Sequence, residues 1–251
     1  MAQQEANTHK GSGRVRAYDA LRGLSVISMV GFHLCYDLVY LAGVEVSWFV
    51  SPFMDIWRAS ISWTFLLIAG CMCAHSRSNL KRSGVYAVVA LAIYAVTKLA
   101  AVDVPISFGI IYCMAACTFC AWMLERAHIV PEGPTCAIVL FLVFLFVLPV
   151  TSGYVGLGSL RIALPRALYD CGLLSWAGFP GPAFASGDYY PLLPYLPLYL
   201  TGSAIGHALK KHGYPTWAYG PVCPPLELVG RHALLVYALH QPLLLLVVGL
   251  V

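Results

Sequence analysis

The sequence predicts an all-α, polytopic transmembrane helix bundle of about seven helices, with the N-terminus cytoplasmic and the C-terminus outside. Three observations carry that prediction. Of 251 residues, 60% are hydrophobic and 10% charged, with a mean hydropathy of +0.77, whereas soluble domains are nearer half apolar and a quarter charged. The apolar residues gather into runs long enough to cross a hydrocarbon core ~30 Å thick. The basic residues then sort by the alternation that those runs impose. Lys10, Arg14, Arg16, Arg22, Arg77, Lys81, Arg82, Arg126, Lys210, Lys211 and Arg231 fall on one side, and Arg58, Lys98, Arg161 and Arg166 on the other. Because basic loops stay cytoplasmic, the first side is the inner one.

Residues 1–13 are polar and contain Gly and Ser, which predicts a disordered cytoplasmic tail and leaves 14–251 as a single membrane domain. The run after Arg22 lacks a small-residue cleavage motif and is long enough to span, so it reads as an uncleaved helix over 19–41 rather than a signal peptide. Further spans are predicted at 57–75, 84–101, 106–124 and 135–150. The long outer loop at 151–190 exceeds what helix connections need, and its apolar stretch is interrupted by Arg161, Pro165, Arg166 and Asp170. It reads as an interfacial or re-entrant segment covering a site, or as a surface decoration. Pro191, Pro194 and Pro197 disfavour regular helix at the start of a span at 191–209. Gly202 and Gly206 then make a GxxxG pair suited to close helix packing. The last span is predicted at 232–251.

Most cysteines lie in or beside apolar runs, where they act as small apolar residues. Cys171 and Cys223 fall in loops on opposite sides, so no disulfide is expected. The net charge of +4 gives no argument for nucleic acid.

The chemistry concentrates on the first helix. At 100° per residue, Arg22 and His33 lie about 20° apart, Asp19 and Asp37 about 60° from Arg22, and Tyr36 and Tyr40 within about 40° of it. One face of an apolar helix is therefore polar from end to end. His33 rises about 16 Å above Arg22, near the middle of the membrane. An ionisable residue there costs roughly 2.5 kcal/mol or more unless it is paired or faces a wet cavity. His33 reads as a general base oriented by Asp37 one turn above, or as a packing histidine bonded to a neighbouring carbonyl. His240, nine residues beyond Arg231, reaches a similar depth of about 14 Å. Pro242 removes a helix hydrogen bond nearby, so His240 and Gln241 read as lining a cavity or as packing residues. Zinc is disfavoured, since no further His or Cys obviously converges on His33. The basic cluster of Arg77, Lys81, Arg82, Lys210, Lys211 and Arg231 either orients the helices against anionic lipid or holds the phosphates of an anionic cytosolic donor.

Several segments resemble the heparan-α-glucosaminide N-acetyltransferase-like membrane proteins of bacteria. They are the run from Arg16 through Asp19 and Arg22-Gly23 to His33 and Asp37; Phe65–Gly70 followed by Ser78 to Arg82; Asp188 to Pro194; and Gly230-Arg231-His232 through Tyr237 to His240-Gln241-Pro242. Arg22 and His33, with ten residues between them, also match the spacing used in the first helix of the wider transmembrane acyltransferase superfamily. The resemblance implies a plasma-membrane enzyme that transfers an acyl group, often acetyl, from cytosolic acyl-CoA to a hydroxyl or amine of a glycan or lipid-linked acceptor. On that reading His33, Asp37 and His240 are catalytic, and Arg22, Arg16, Arg231, Lys81 and Arg82 hold the CoA. Asp188, Tyr189, Tyr36 and Gln241 meet the acceptor, and His240 with Gln241 stabilises the thioester oxygen or positions the acceptor. No metal and no cofactor beyond the acyl-CoA co-substrate is implied; membrane lipids are partners and self-association is left open. The rival reading is a proton-coupled transporter in which the same buried His and Asp residues relay protons.

Overall fold

A computed structural model describes residues 14–99 and 104–249; the expected tail at 1–13 lies outside them. Among the described residues there are eight α-helices: α1 (Arg16–Tyr40), α2 (Phe53–Cys71), α3 (Asn79–Leu99), α4 (Ile110–Arg126), α5 (Pro134–Val147), α6 (Leu192–His212), α7 (Pro224–Arg231) and α8 (Ala233–Val248). Seven of them occupy the predicted spans. Short 3-10 turns carry α2 on to His75 and α5 on to Ser152. By length and composition, α1, α3 and the extended α2 and α5 can each cross a membrane, and α7 with α8, bent by 84° between them, can make a fifth span. α4 has 17 residues, about 25 Å of rise and so slightly short of the hydrocarbon core. α6 carries Pro197 and a non-helical Leu193, in keeping with the proline spacing.

Large apolar side chains face outward along α3 (Val88, Leu91), α5 (Ile138, Val139) and α8 (Leu239, Leu243, Leu246). Exposed stripes of that extent are stable only where the solvent is itself apolar.

The chain divides into two compact units, one made of the chain through Ile68 and from Leu209 onward, the other of Ala69–Ala208. In the first, α1 packs against α7 at two glycines. A Cβ on Gly23 would stand 1.9 Å from the Leu226 carbonyl oxygen, and one on Gly230 would stand 1.8 Å from that of Asp19. Only residues without a side chain permit that crossing. Sequence reasoning did not foresee α7, whose start at Pro224-Pro225 reads as loop although Pro is well tolerated in the first turn of a helix.

In the second unit, fully buried Tyr199 of α6 is a hub. Its hydroxyl lies 2.8 Å from Arg82 Nη2, 2.6 Å from Thr118 Oγ1 and 3.3 Å from Cys73 Sγ. Close helix approach recurs here: a Cβ on Gly206 would stand 2.3 Å from the Cys71 carbonyl oxygen, in line with the packing role read from the GxxxG pair. The outer segment contains an antiparallel hairpin, β1 (Tyr154–Leu157) and β2 (Leu160–Ala163). Leu157 pairs with Leu160 across Gly158-Ser159, and Gly158 adopts φ +58°. Gly at the first position of a two-residue loop is a strong hairpin signal. It escaped the sequence reading because the flanking residues do not alternate apolar and polar. Arg161 lies over the Tyr154 ring at 5.1 Å, a cation–π contact that ties the two strands.

Candidate active site

The polar stripe of α1 is present, and its two ends do different things. At the start of the helix, Asp19 is buried and accepts from Arg14 Nε at 2.5 Å, from Arg14 Nη2 at 2.9 Å, and from Arg22 Nη2. On α7, buried Glu227 accepts from Arg16 Nε at 2.6 Å, stands 3.9 Å from Arg231, and takes the Val222 amide at 2.9 Å. Glu227 thereby satisfies an amide just ahead of α7 and holds two arginines at once. Four guanidinium groups share two carboxylates, so this end of the unit keeps a surplus of positive charge. The Nε of Arg22 is buried with no hydrogen-bond partner. Sequence reasoning found the arginines and missed Glu227, because an isolated Glu in a proline-rich stretch carries no periodic signal.

Farther along, α8 runs beside α1. The His33 and His240 rings lie 4.9 Å apart between centroids with a 55° tilt, so the two histidines placed by counting at similar depth do meet. Asp37 does not orient His33. Its carboxylate is buried, and both oxygens accept from Gln241 Nε2, at 3.1 and 2.9 Å. The one-turn spacing puts His33 and Asp37 on one face, but a side-chain amide reaching across from α8 is a better partner for two carboxylate oxygens than a ring one turn below. His33 instead sets its ring edge-on to Phe32 at 5.8 Å.

The roles of His240 and Gln241 follow from what each touches. His240 Nδ1 lies 2.6 Å from the Tyr237 carbonyl oxygen; a carbonyl only accepts, so Nδ1 carries the proton. The Nε2 of His240 and the Oε1 of Gln241 are buried without a hydrogen-bond partner. Both are acceptors in this arrangement. Stabilising a thioester oxygen takes donors, so with these two atoms as acceptors the arrangement favours positioning the acceptor.

Tyr36 is exposed, stacks on Phe32 at 6.5 Å and lies tilted by 40° against Tyr40 at 4.5 Å. Its neighbourhood is aromatic: Trp57 lies edge-on to Phe32 at 5.4 Å and donates Nε1–H to Ser28 Oγ at 2.7 Å.

The remaining predicted residues belong to the second unit. Arg82 turns its guanidinium inward, to the Ala69 carbonyl, the Tyr199 hydroxyl and Asn79 Oδ1. Its two terminal nitrogens are spent on internal acceptors, while Nε is buried without a hydrogen-bond partner. Lys81 is exposed. Asp188 Oδ2 accepts the Ile110 amide at 3.3 Å, which satisfies the start of α4, and the Tyr189 hydroxyl donates to the Ser175 carbonyl at 2.7 Å. Burial raises the Tyr189 phenol well above its ordinary range, so it stays a neutral donor. Phe108 and Tyr189 form a parallel bridge, and the Tyr190 amide donates to the Phe108 carbonyl at 2.7 Å. This stitching is why α4 begins at Ile110 rather than at the predicted 106. Among the described residues, no group of three or more His, Cys, Asp or Glu is arranged to hold a metal ion.

A model of the family described as heparan-alpha-glucosaminide N-acetyltransferase, catalytic, matches residues 14–242 of the chain. Comparison with curated proteins and with solved structures gives no match.

Proposed function

Because the chain belongs to the heparan-alpha-glucosaminide N-acetyltransferase catalytic family, a family of membrane acetyltransferases, we propose that it moves an acetyl or other acyl group from cytosolic acyl-CoA to a hydroxyl or amine of a glycan or lipid-linked acceptor. It does so as a multi-pass protein of the plasma membrane. The observation that carries this reading is the contact between His33 and His240, two imidazoles held together inside a pair of apolar helices.

A histidine in hydrocarbon is expensive unless it works, and acyl transfer needs a group that takes a proton from the nucleophile near neutral pH. The surplus arginine charge at the start of α1 and on α7 suits the phosphates of CoA, with Arg22, Arg16 and Arg231 as the binding groups. Within the first unit, Tyr36 offers the acceptor an aromatic face; within the second, Asp188 and Tyr189 fix the segment ahead of α6.

The test is transfer of radiolabel from acetyl-CoA by purified protein in proteoliposomes, with free CoA thiol measured in parallel. Label should appear in acceptor in step with thiol release, and the double variant His33→Asn/His240→Gln should lose both. Acidification-driven solute flux with no thiol release would sink the acyltransferase reading and favour a proton-coupled transporter.

A further inference from the structure

The acyltransferase reading leaves open which histidine takes the proton and what kind of group enters beside it. Hydrogen-bond bookkeeping on α8 decides both. The Tyr237 carbonyl has no hydrogen to give, so its bond to His240 Nδ1 at 2.6 Å holds the imidazole as the Nδ1–H tautomer. The lone pair of Nε2 is then the basic position. With both carboxylate oxygens of Asp37 accepting from Gln241 Nε2, Oε1 is left as a pure acceptor.

These two atoms, His240 Nε2 and Gln241 Oε1, are both buried and both without a partner, on a histidine that is only 9% exposed. Buried acceptors are ordinarily satisfied. Two left open on consecutive residues of one helix suit a ligand that carries hydrogens to donate and no negative charge.

We propose that His240 Nε2 and Gln241 Oε1 seat the nucleophile of the acceptor, a neutral primary amine or an alcohol with a neighbouring hydroxyl, and that His240 rather than His33 takes its proton. Two acceptors call for two hydrogens, which an amine supplies from one nitrogen and an alcohol only with help from its neighbour. In the step itself, the N–H or O–H bond breaks and its proton passes to His240 Nε2. The electron pair left on the nucleophile forms the new bond to the thioester carbonyl carbon, the C–S bond breaks, and the departing thiolate takes the proton from Nε2 as free CoA thiol. Tyr237 holds the imidazolium in the interim through the Nδ1–H bond. His33, packed on the His240 ring, is a positioning residue.

Water is also a neutral donor of two hydrogens, so slow hydrolysis of acetyl-CoA tests the inference without knowledge of the natural acceptor. It rests on the acyltransferase reading: wild-type protein that neither binds acetyl-CoA nor releases thiol overturns that reading and this inference together. With wild-type thiol release in hand, the inference stands or falls alone. In proteoliposomes, His240→Gln should lose thiol release about 100-fold or more with the KM for acetyl-CoA unchanged. Gln241→Met should keep the wild-type pH profile while raising the KM for added amine or diol glycosides. His33→Asn should lower kcat yet preserve the loss of rate at acid pH that marks an essential unprotonated base. Acetyl-CoA-induced thermal stabilisation of each variant checks that it is folded, and Gln241→Met reads the seat even if His240→Gln is not. Thiol release by His240→Gln within threefold of wild type, or an acid limb that vanishes in His33→Asn and survives in His240→Gln, overturns the assignment. So does a glycoside with one isolated hydroxyl that reacts as well as the amine and the diol.

Discussion

Replacing Gly230 by alanine tests the joint that brings α7, and with it the start of α8, against α1. The added Cβ would stand 1.8 Å from the Asp19 carbonyl oxygen, where ordinary contact begins near 3.4 Å. The obstacle is backbone, so no side chain can swing away, and the helices must separate by about 1.5 Å. Separation of that size also stretches the Arg16–Glu227 bond, now 2.6 Å, out of hydrogen-bond range. Overpacking of this kind costs about 1–3 kcal/mol, and at about 2–4 °C per kcal/mol for a chain of this size the midpoint should fall by roughly 2–12 °C. The assay is thermal unfolding of detergent-purified protein, with Gly84→Ala as the reference. Gly84 sits in α3 with nothing within 4 Å of a built Cβ, so alanine there should leave the midpoint unchanged or raise it slightly through helix propensity. If Gly230→Ala melts together with Gly84→Ala, the crossing is not set by glycine contact and the reasoning is refuted.

Two further substitutions probe the charge pattern and the second unit. Glu227→Gln frees Arg16 and Arg231 from their shared carboxylate, so acetyl-CoA should bind several-fold more tightly at low ionic strength, with the gain gone in high salt; calorimetry across a salt series would reveal the opposite trend if these arginines do not meet phosphate. Tyr199→Phe removes the hydroxyl that accepts from Arg82 and adjoins Thr118 and Cys73. Leaving a part-buried cation short of a partner should cost about 1.5–3 kcal/mol, and a cycle with Thr118→Val should show non-additivity of at least about 0.5 kcal/mol; strictly additive midpoints would mean the hub is not a network.

How far the sequence reached depended on the kind of signal. Long apolar runs announce themselves, since burial in hydrocarbon constrains every residue of a span at once; hence α1, α2, α3, α5 and α8 fall where expected. α7 and the hairpin are short and mixed in character, and their start and turn residues, Pro224-Pro225 and Gly158-Ser159, mark loops as often as elements. Arg82 shows the same limit for side chains. A basic residue beside Lys81 reads as surface charge, and only the tertiary position of Tyr199 reveals that its guanidinium points inward.

The candidate site was legible as a pair of depths and not as a set of bonds. Counting residues from Arg22 and from Arg231 assigns His33 and His240 similar heights, and the rings do meet at 4.9 Å. Yet the count treats 231–240 as one straight rise, whereas the helix bends by 84° between α7 and α8, so α8 climbs only about 10 Å from Ala233 to His240. The agreement therefore comes from the crossing at Gly23 and Gly230, which starts α8 beside α1, and not from depth alone. The same crossing sets which turn of α1 each α8 side chain meets. It gives Asp37 to Gln241 and leaves His33 to His240, a pairing that no periodicity within α1 could disclose. Local spacing predicted a base and its orienting carboxylate on one helix; the tertiary register puts the orienting carbonyl, Tyr237, and the open nitrogen of His240 on the other.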